Sequence, residues 1–215
     1  MNYFAHARLF LDRPYFVAGA CAPDWLMVAD RRVRVRAKRA ELFLNDRDPC
    51  MAEVAAGVVQ HLSDDVWFHA TRAFAETTLA LTARARDALG GETGLRPAFL
   101  GHLLTELLLD AALIADAPAD LDRYYQLLDS LDAGQIEAAV NRMAPRTTDQ
   151  LGRFIELFRQ ARILWDYLED GRLMERLNQV MRRVGLEPLP EGFDAILPEA
   201  RKVVDERKAA LLDQK

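Results

Sequence analysis

Apolar residues recur at intervals of three and four along most of this chain: from Val54 to Leu81, from Phe99 to Ile114 and from Leu151 to Val184. That period puts them on one face of an α-helix, because 3.6 residues complete a turn. Strand-like alternation occurs only in Arg32-Val-Arg-Val-Arg36, which is short and flanked by helix formers. Pro14, Pro23, Pro49, Pro97, Pro118 and Pro145 fall between periodic segments, where each starts or stops a helix. Gly90-Gly91 marks a loop, and Thr147, Thr148 and Asp149 supply caps for a long C-terminal helix. Pro188 and Pro190 precede a last charged helix, about Phe193 to Leu212. There is no internal repeat and no long linker. The expected fold is all-α: a single-domain helical bundle over residues 1–215, with a site-bearing half (1–117) and supporting helices (118–215).

Composition narrows the function classes. A chain of 215 residues that is 51% hydrophobic can bury a sizeable core. Its net charge of −5 argues against general nucleic-acid binding, which needs a basic surface to displace counterions. Two cysteines, Cys21 and Cys50, are too few for a disulfide scaffold, and neither has the sequence context of a nucleophile. Phe16 to Ala22 (FVAGACA) imitates a processing site, but Asp12, Arg13 and Pro14 interrupt the apolar run before it. No stretch reaches the ~18–20 apolar residues of a membrane span, so the expectation is a cytoplasmic protein without a transmembrane segment. Glycine-rich phosphate loops, nucleophile elbows and dinucleotide fingerprints are absent from the sequence.

The chemistry concentrates in the first half, which holds all four histidines: His6, His61, His69 and His102. Gly57 to Glu76 reads as one helix on which His61, Asp65 and His69 step by four, with Arg72 and Glu76 continuing the stripe and Asp64 at its edge. An imidazole and a carboxylate one turn apart can converge on one cation at ~2.0–2.2 Å. A solvated helix face is the competing reading. In Phe99 to Ile114 (FLGHLLTELLLDAALI), His102, Glu106 and Asp110 also step by four, here among Leu, Ala and Ile. A carboxylate in such a helix needs a cation or several hydrogen bonds, so metal ligation competes with pairing to arginines of another helix. Two such helices facing each other would bring their ligands together for Zn, Mn or Fe.

The opening Met1-Asn2-Tyr3-Phe4-Ala5-His6, followed by Gly19 and Asp24, resembles the start of the acyl carrier protein phosphodiesterase family, relatives of the HD-type phosphohydrolases. Ala56-Gly57 with His61-x-x-x-Asp65, and the later pair Glu106 and Asp110, are similar to that family's next landmarks. The resemblance covers roughly residues 1–30 and 54–112. It implies a helical, metal-dependent phosphodiesterase, with His6 and Asp24 joining the ligands and a small acidic carrier protein as a partner. The order His61, Asp65, His69, His102, Glu106 is also similar to the zinc-dependent phospholipase C group, which hydrolyses phosphate esters. Without the resemblance, His6 reads as a buried histidine and Asp24, after Pro23, as a helix cap.

The expected function is therefore a metal-dependent phosphohydrolase that cleaves a phosphodiester or phosphomonoester through metal-activated water. Its metal ligands would be His6, Asp24, His61, Asp65, His69, His102, Glu106 and Asp110, with Asp65 essential to turnover and Arg72 steadying the phosphate. The alternative is a non-catalytic helical binding module with a structural or degenerate metal site. It is favoured by Ala111, where the family places a histidine, and by Leu62-Ser63, where the family usually has arginines. Residues 31–39 (RRVRVRAKR) carry six positive charges, read either as an anion- or acidic-partner surface or as a solvated segment balanced by Glu41, Asp46 and Asp48. Trp165, Tyr167 and Leu168 read as packing residues of a closing helix.

Overall fold

Helix N-termini fall where prolines and acceptor side chains permit them. In a computed structural model that describes residues 1–213, Pro14, Pro49 and Pro118 each open a helix, where the missing N–H costs nothing. In chain order the helices are α1 (Tyr3–Ala7), α2 (Pro14–Ala29), α3 (Ala37–Ala40), α4 (Pro49–Ala70), α5 (Arg72–Ala88) and α6 (Leu95–Asp116). They continue with α7 (Pro118–Asp129), α8 (Ala133–Met143), α9 (Leu151–Ala161), α10 (Asp170–Val184) and α11 (Leu197–Leu211). Short 3-10 turns cover Glu41–Phe43, Ile163–Leu168 and Phe193–Ile196. Among the described residues there is no strand, and the protein is all-α as its periodicity dictates.

Three boundaries differ from the sequence expectation. Pro23 does not end a helix, because α2 runs through it; the cost is one internal hydrogen bond, that to the Gly19 carbonyl. The stripe from His61 to Glu76 breaks at Thr71, whose hydroxyl accepts from the Phe74 N–H and starts α5 afresh. The long C-terminal helix is interrupted at Arg162, which adopts a left-handed conformation (φ 44°) at the end of α9. A 3-10 turn follows, with Tyr167 buried but Leu168 36% exposed.

The chain forms two compact units, each assembled from an early and a late segment rather than dividing at residue 117. The first comprises Met1–Val66 and Ala117–Arg162. Its core is aromatic: Trp25 and Tyr3 pack on Phe158 at ring distances of 5.6 and 5.0 Å, and Phe4 meets Tyr124 edge-on. Buried Tyr124 is satisfied by Cys21, 3.1 Å away. The second unit comprises Trp67–Asp116 and Ile163–Lys215, with Phe68, Leu81, Leu100, Leu104, Leu108 and Phe193 at its centre.

In each unit a glycine lets two helices approach to backbone contact. A Cβ on Gly57 of α4 would overlap the Phe16 carbonyl oxygen of α2, and one on Gly19 would overlap the Val54 carbonyl oxygen. In the second unit a Cβ on Gly101 of α6 would overlap Thr82 Oγ1 and press on the Thr78 carbonyl of α5. Thr105 spans the same seam, donating to the Gly101 carbonyl at 2.8 Å and lying 3.2 Å from the Thr78 hydroxyl.

Helix α6 is long and apolar enough to cross a membrane by length and composition, which the reading of the sequence did not recognise. Its most apolar window is 61% buried inside the protein, as for the core helix of a globular unit.

These contacts make glycine tolerance position-specific. Gly57→Ala is expected to destabilise the fold by about 2 kcal/mol or more, a drop of roughly 5 °C or more in melting temperature. Gly171→Ala, which meets nothing within 4 Å, leaves the melting temperature unchanged or slightly higher.

Candidate metal centres

The approach of α4 to α2 determines the surroundings of His61, one turn beyond Gly57. Its Nδ1–H donates to the Ala20 carbonyl of α2 at 2.7 Å. A carbonyl can only accept, so the proton must sit on Nδ1 and Nε2 faces the other way. There it lies 3.5 Å from Asp65 Oδ2. His6, on α1, repeats the arrangement. Its Nδ1 is 3.2 Å from Asp64 Oδ2, and its Nε2 points at Asp65 Oδ1, 3.3 Å away but too poorly aligned for a hydrogen bond. The two rings stack with centroids 4.0 Å apart, and both are almost wholly buried.

His6, His61 and Asp65 thus converge on one point through two imidazole Nε2 atoms and a carboxylate. Asp64 is not a donor to that point but a brace: it holds the His6 ring and is itself held by Gln60 Nε2 at 2.6 Å. Asp24, expected as a metal ligand through the resemblance and as a helix cap without it, lies within α2 and in neither group of three; its contribution here is a negative charge acting on His6. The Met1 amino group is 2.8 Å from Asp65 Oδ1.

Burial alone would push the His6 imidazole down, but the neighbouring carboxylates of Asp64 and Asp65 and the charge of Asp24 outweigh burial. The result is a rise from 6.5 to about 9. Burial would raise the Asp65 carboxyl; His6, His61 and the amino-terminal charge reverse that and hold it far below the usual range. A half-buried carboxylate thus faces two imidazole nitrogens whose opposite edges are already engaged. Two stacked imidazoliums repel each other, and two neutral rings would aim lone pairs at a carboxylate. A divalent cation would resolve both conflicts. Ligands at ~2.1 Å in tetrahedral geometry stand about 3.4 Å apart; the two Nε2 atoms lie 3.3 and 3.5 Å from the two different oxygens of Asp65. The braced Nδ1 atoms are the arrangement that orients metal-binding histidines.

A second group lies in the other unit. His69, in the last turn of α4, donates from Nε2 to Glu106 Oε1 of α6 at 2.9 Å, and His102 Nε2 is 3.3 Å from the same oxygen. Phe74 meets both rings edge-on, at 4.8 and 5.1 Å. This group is open: the histidine side chains are 34% and 44% exposed, and among the described residues no other polar side chain braces their Nδ1 atoms. Burial would raise the Glu106 carboxyl, but the two imidazoles hold it well below the usual carboxylate range.

Among the described residues the expected donors fall into two groups of three. Eight residues along an α-helix span about 12 Å, too far for His61 and His69 to meet at one ion. Asp110 is fully buried one turn beyond Glu106 and belongs to neither group. Arg72 belongs to neither as well: α5 begins there, its guanidinium is 90% exposed, and it pairs with Glu76 at 2.6 Å. Sequence reading gave Asp64 only an edge position, because its role as a brace depends on α1 and leaves no mark in helical spacing. Compared with protein-family models, with curated proteins and with solved structures, the chain matches none.

The raised His6 value has a direct consequence for the metal-free protein. A histidine whose folded value exceeds its unfolded one stabilises fully below the unfolded value, and that contribution is lost as pH rises through the folded value. With a chelator present, the melting-temperature gap between wild type and His6→Gln is expected to be largest below pH 6.5. It should shrink as pH rises and close above about pH 9.

Proposed function

We propose that the protein is a metal-dependent phosphohydrolase acting on a phosphodiester or phosphomonoester, with divalent cations (Zn, Mn or Fe) held by the two histidine–carboxylate groups. The observation that carries this reading is the pair of stacked imidazoles, His6 and His61, with each Nδ1 engaged and each Nε2 turned on Asp65. The same chemistry is what the resemblance to the carrier-protein phosphodiesterases implies. When bound, a divalent ion supplies Lewis acidity towards a phosphoryl oxygen and lowers the pKa of water.

The protein's own residues divide the remaining work. His6, His61 and Asp65 form the more buried and better braced group, suited to holding an ion tightly. His69, His102 and Glu106 are accessible, so an ester can reach them. Phe74 packs against both imidazoles there and limits their rotation. Asp24 and Asp64 add negative charge around His6, favouring a cation over a proton-poor empty site. A small acidic carrier protein remains a candidate source of the ester, and a cytoplasmic location belongs to the same proposal.

The test combines metal analysis with turnover. Near-stoichiometric Zn, Mn or Fe is expected in the wild type and its loss in the His61→Ala/Glu106→Ala double variant. Hydrolysis of a generic aryl phosphodiester or monoester should depend on added metal. Asp65→Asn should lower turnover by at least about a hundredfold, the scale of a lost reaction-site group, with far-UV circular dichroism nearly unchanged. Arg72→Ala should leave turnover within about twofold, since an exposed paired arginine contributes little. Metal binding without hydrolysis of any ester would instead support the binding-module alternative that Ala111 favours.

A further inference from the structure

Residues 31–36 follow the end of α2 at Asp30 and carry alternating valines and arginines. Val33 and Val35 are buried, while Arg32, Arg34 and Arg36 are exposed. Alternate residues of an extended chain point to opposite sides, so the valines anchor the segment and the arginines face solvent. Arg31, Lys38 and Arg39 extend the exposed positive surface into α3.

Two of the three acidic residues that could balance this charge are engaged elsewhere, which leaves exposed Glu41 alone against the run. Asp46 pairs with Arg142 at 2.7 Å, and Asp48 accepts from the Cys50 N–H at the start of α4. Asp30 neutralises Arg32 alone, at 3.0 Å. Among the described residues, Arg31, Arg34, Arg36, Lys38 and Arg39 make no ion pair. In a chain with a net charge of −5, five unpaired cations within nine residues form a surface of opposite sign to the whole.

Apolar side chains flank the cations. Leu42 is 75% exposed in the turn after α3, Leu44 and Met27 are also exposed, and Leu42 lies one helical turn from Lys38. An aqueous polyanion would be met by the arginines alone. Cations beside protruding aliphatic side chains match a bilayer that is anionic at its headgroups and apolar just beneath.

We propose that residues 27–44 form a docking surface for an anionic lipid bilayer, the arginines and Lys38 meeting headgroup phosphates and carboxylates while Leu42 and Leu44 enter the acyl boundary. The attachment would be peripheral and reversible, and it is independent of any metal chemistry.

Co-sedimentation of the full chain with vesicles tests this. Binding to phosphatidylcholine/phosphatidylserine (7:3) vesicles in low salt is expected, with little binding to phosphatidylcholine alone and release at high salt. The variant R31Q/R36Q/K38Q/R39Q should weaken binding by roughly several hundredfold, because each basic residue near such a surface contributes about a factor of five. L42S/L44S should weaken vesicle binding while leaving retention on a heparin column unchanged, since neither substitution alters charge. All substituted positions are at the surface, and an unchanged melting temperature confirms folding. Equal binding to neutral and anionic vesicles, or no binding to either, would overturn the proposal. So would full vesicle binding by the L42S/L44S variant, which would reassign the patch to soluble polyanions.

Discussion

The backbone contact between α2 and α4 at Gly19 and Gly57 is the constraint on which the His6–His61–Asp65 group depends. Helices normally pack 8–10 Å apart, a distance maintained by their side chains. Removing two Cβ atoms lets these axes approach more closely, and only then can His61 Nδ1, one turn past Gly57, reach the Ala20 carbonyl. That hydrogen bond selects the tautomer and points Nε2 at Asp65. A wider crossing would leave the imidazole free to rotate and the carboxylate without its partner. The second unit uses the same device, with Gly101 letting α6 close on α5 immediately beside His102.

The two groups share a composition, two imidazoles and one carboxylate, yet differ in what surrounds them. Around His6 and His61, Asp64, Gln60 and the Ala20 carbonyl occupy the ring edges that do not face Asp65. Around His69 and His102 lie the aromatic rings of Phe74 and Phe68, and both imidazoles turn to a single oxygen of Glu106. Enclosure with bracing favours firm retention of a cation, while exposure with few braces favours exchange and access to a ligand. This difference arises from burial, since the donor types are the same in both groups.

Much of the candidate chemistry was legible in the sequence because helical spacing is a geometric statement. His61 and Asp65 four apart had to share a face of α4, and His102 and Glu106 a face of α6, whatever the helices packed against. Less could be said where a helix ends. Nothing in the periodicity marks Thr71 as a cap that starts α5, so Arg72 read as a continuation of the stripe although it faces solvent. Asp64 was legible only as an edge position, since its worth comes from His6, 58 residues away. The basic run at 31–39 was visible from composition, but whether Asp46 and Asp48 balanced it depended on Arg142 and on the start of α4.

The sequence by itself determined that this chain is all-α, where most helices begin, and that histidines and carboxylates recur at one-turn intervals on two of them. These are local properties, set by backbone hydrogen bonding, proline and side-chain period over a few residues. Only the tertiary structure decided that the donors gather as two groups rather than one, and that His6 joins His61 while His69 joins His102. It also decided that Asp110 stands apart from both. Those outcomes depend on how closely helices distant in sequence approach. That distance is decided by the atoms missing from Gly19, Gly57 and Gly101, and a local pattern does not encode it.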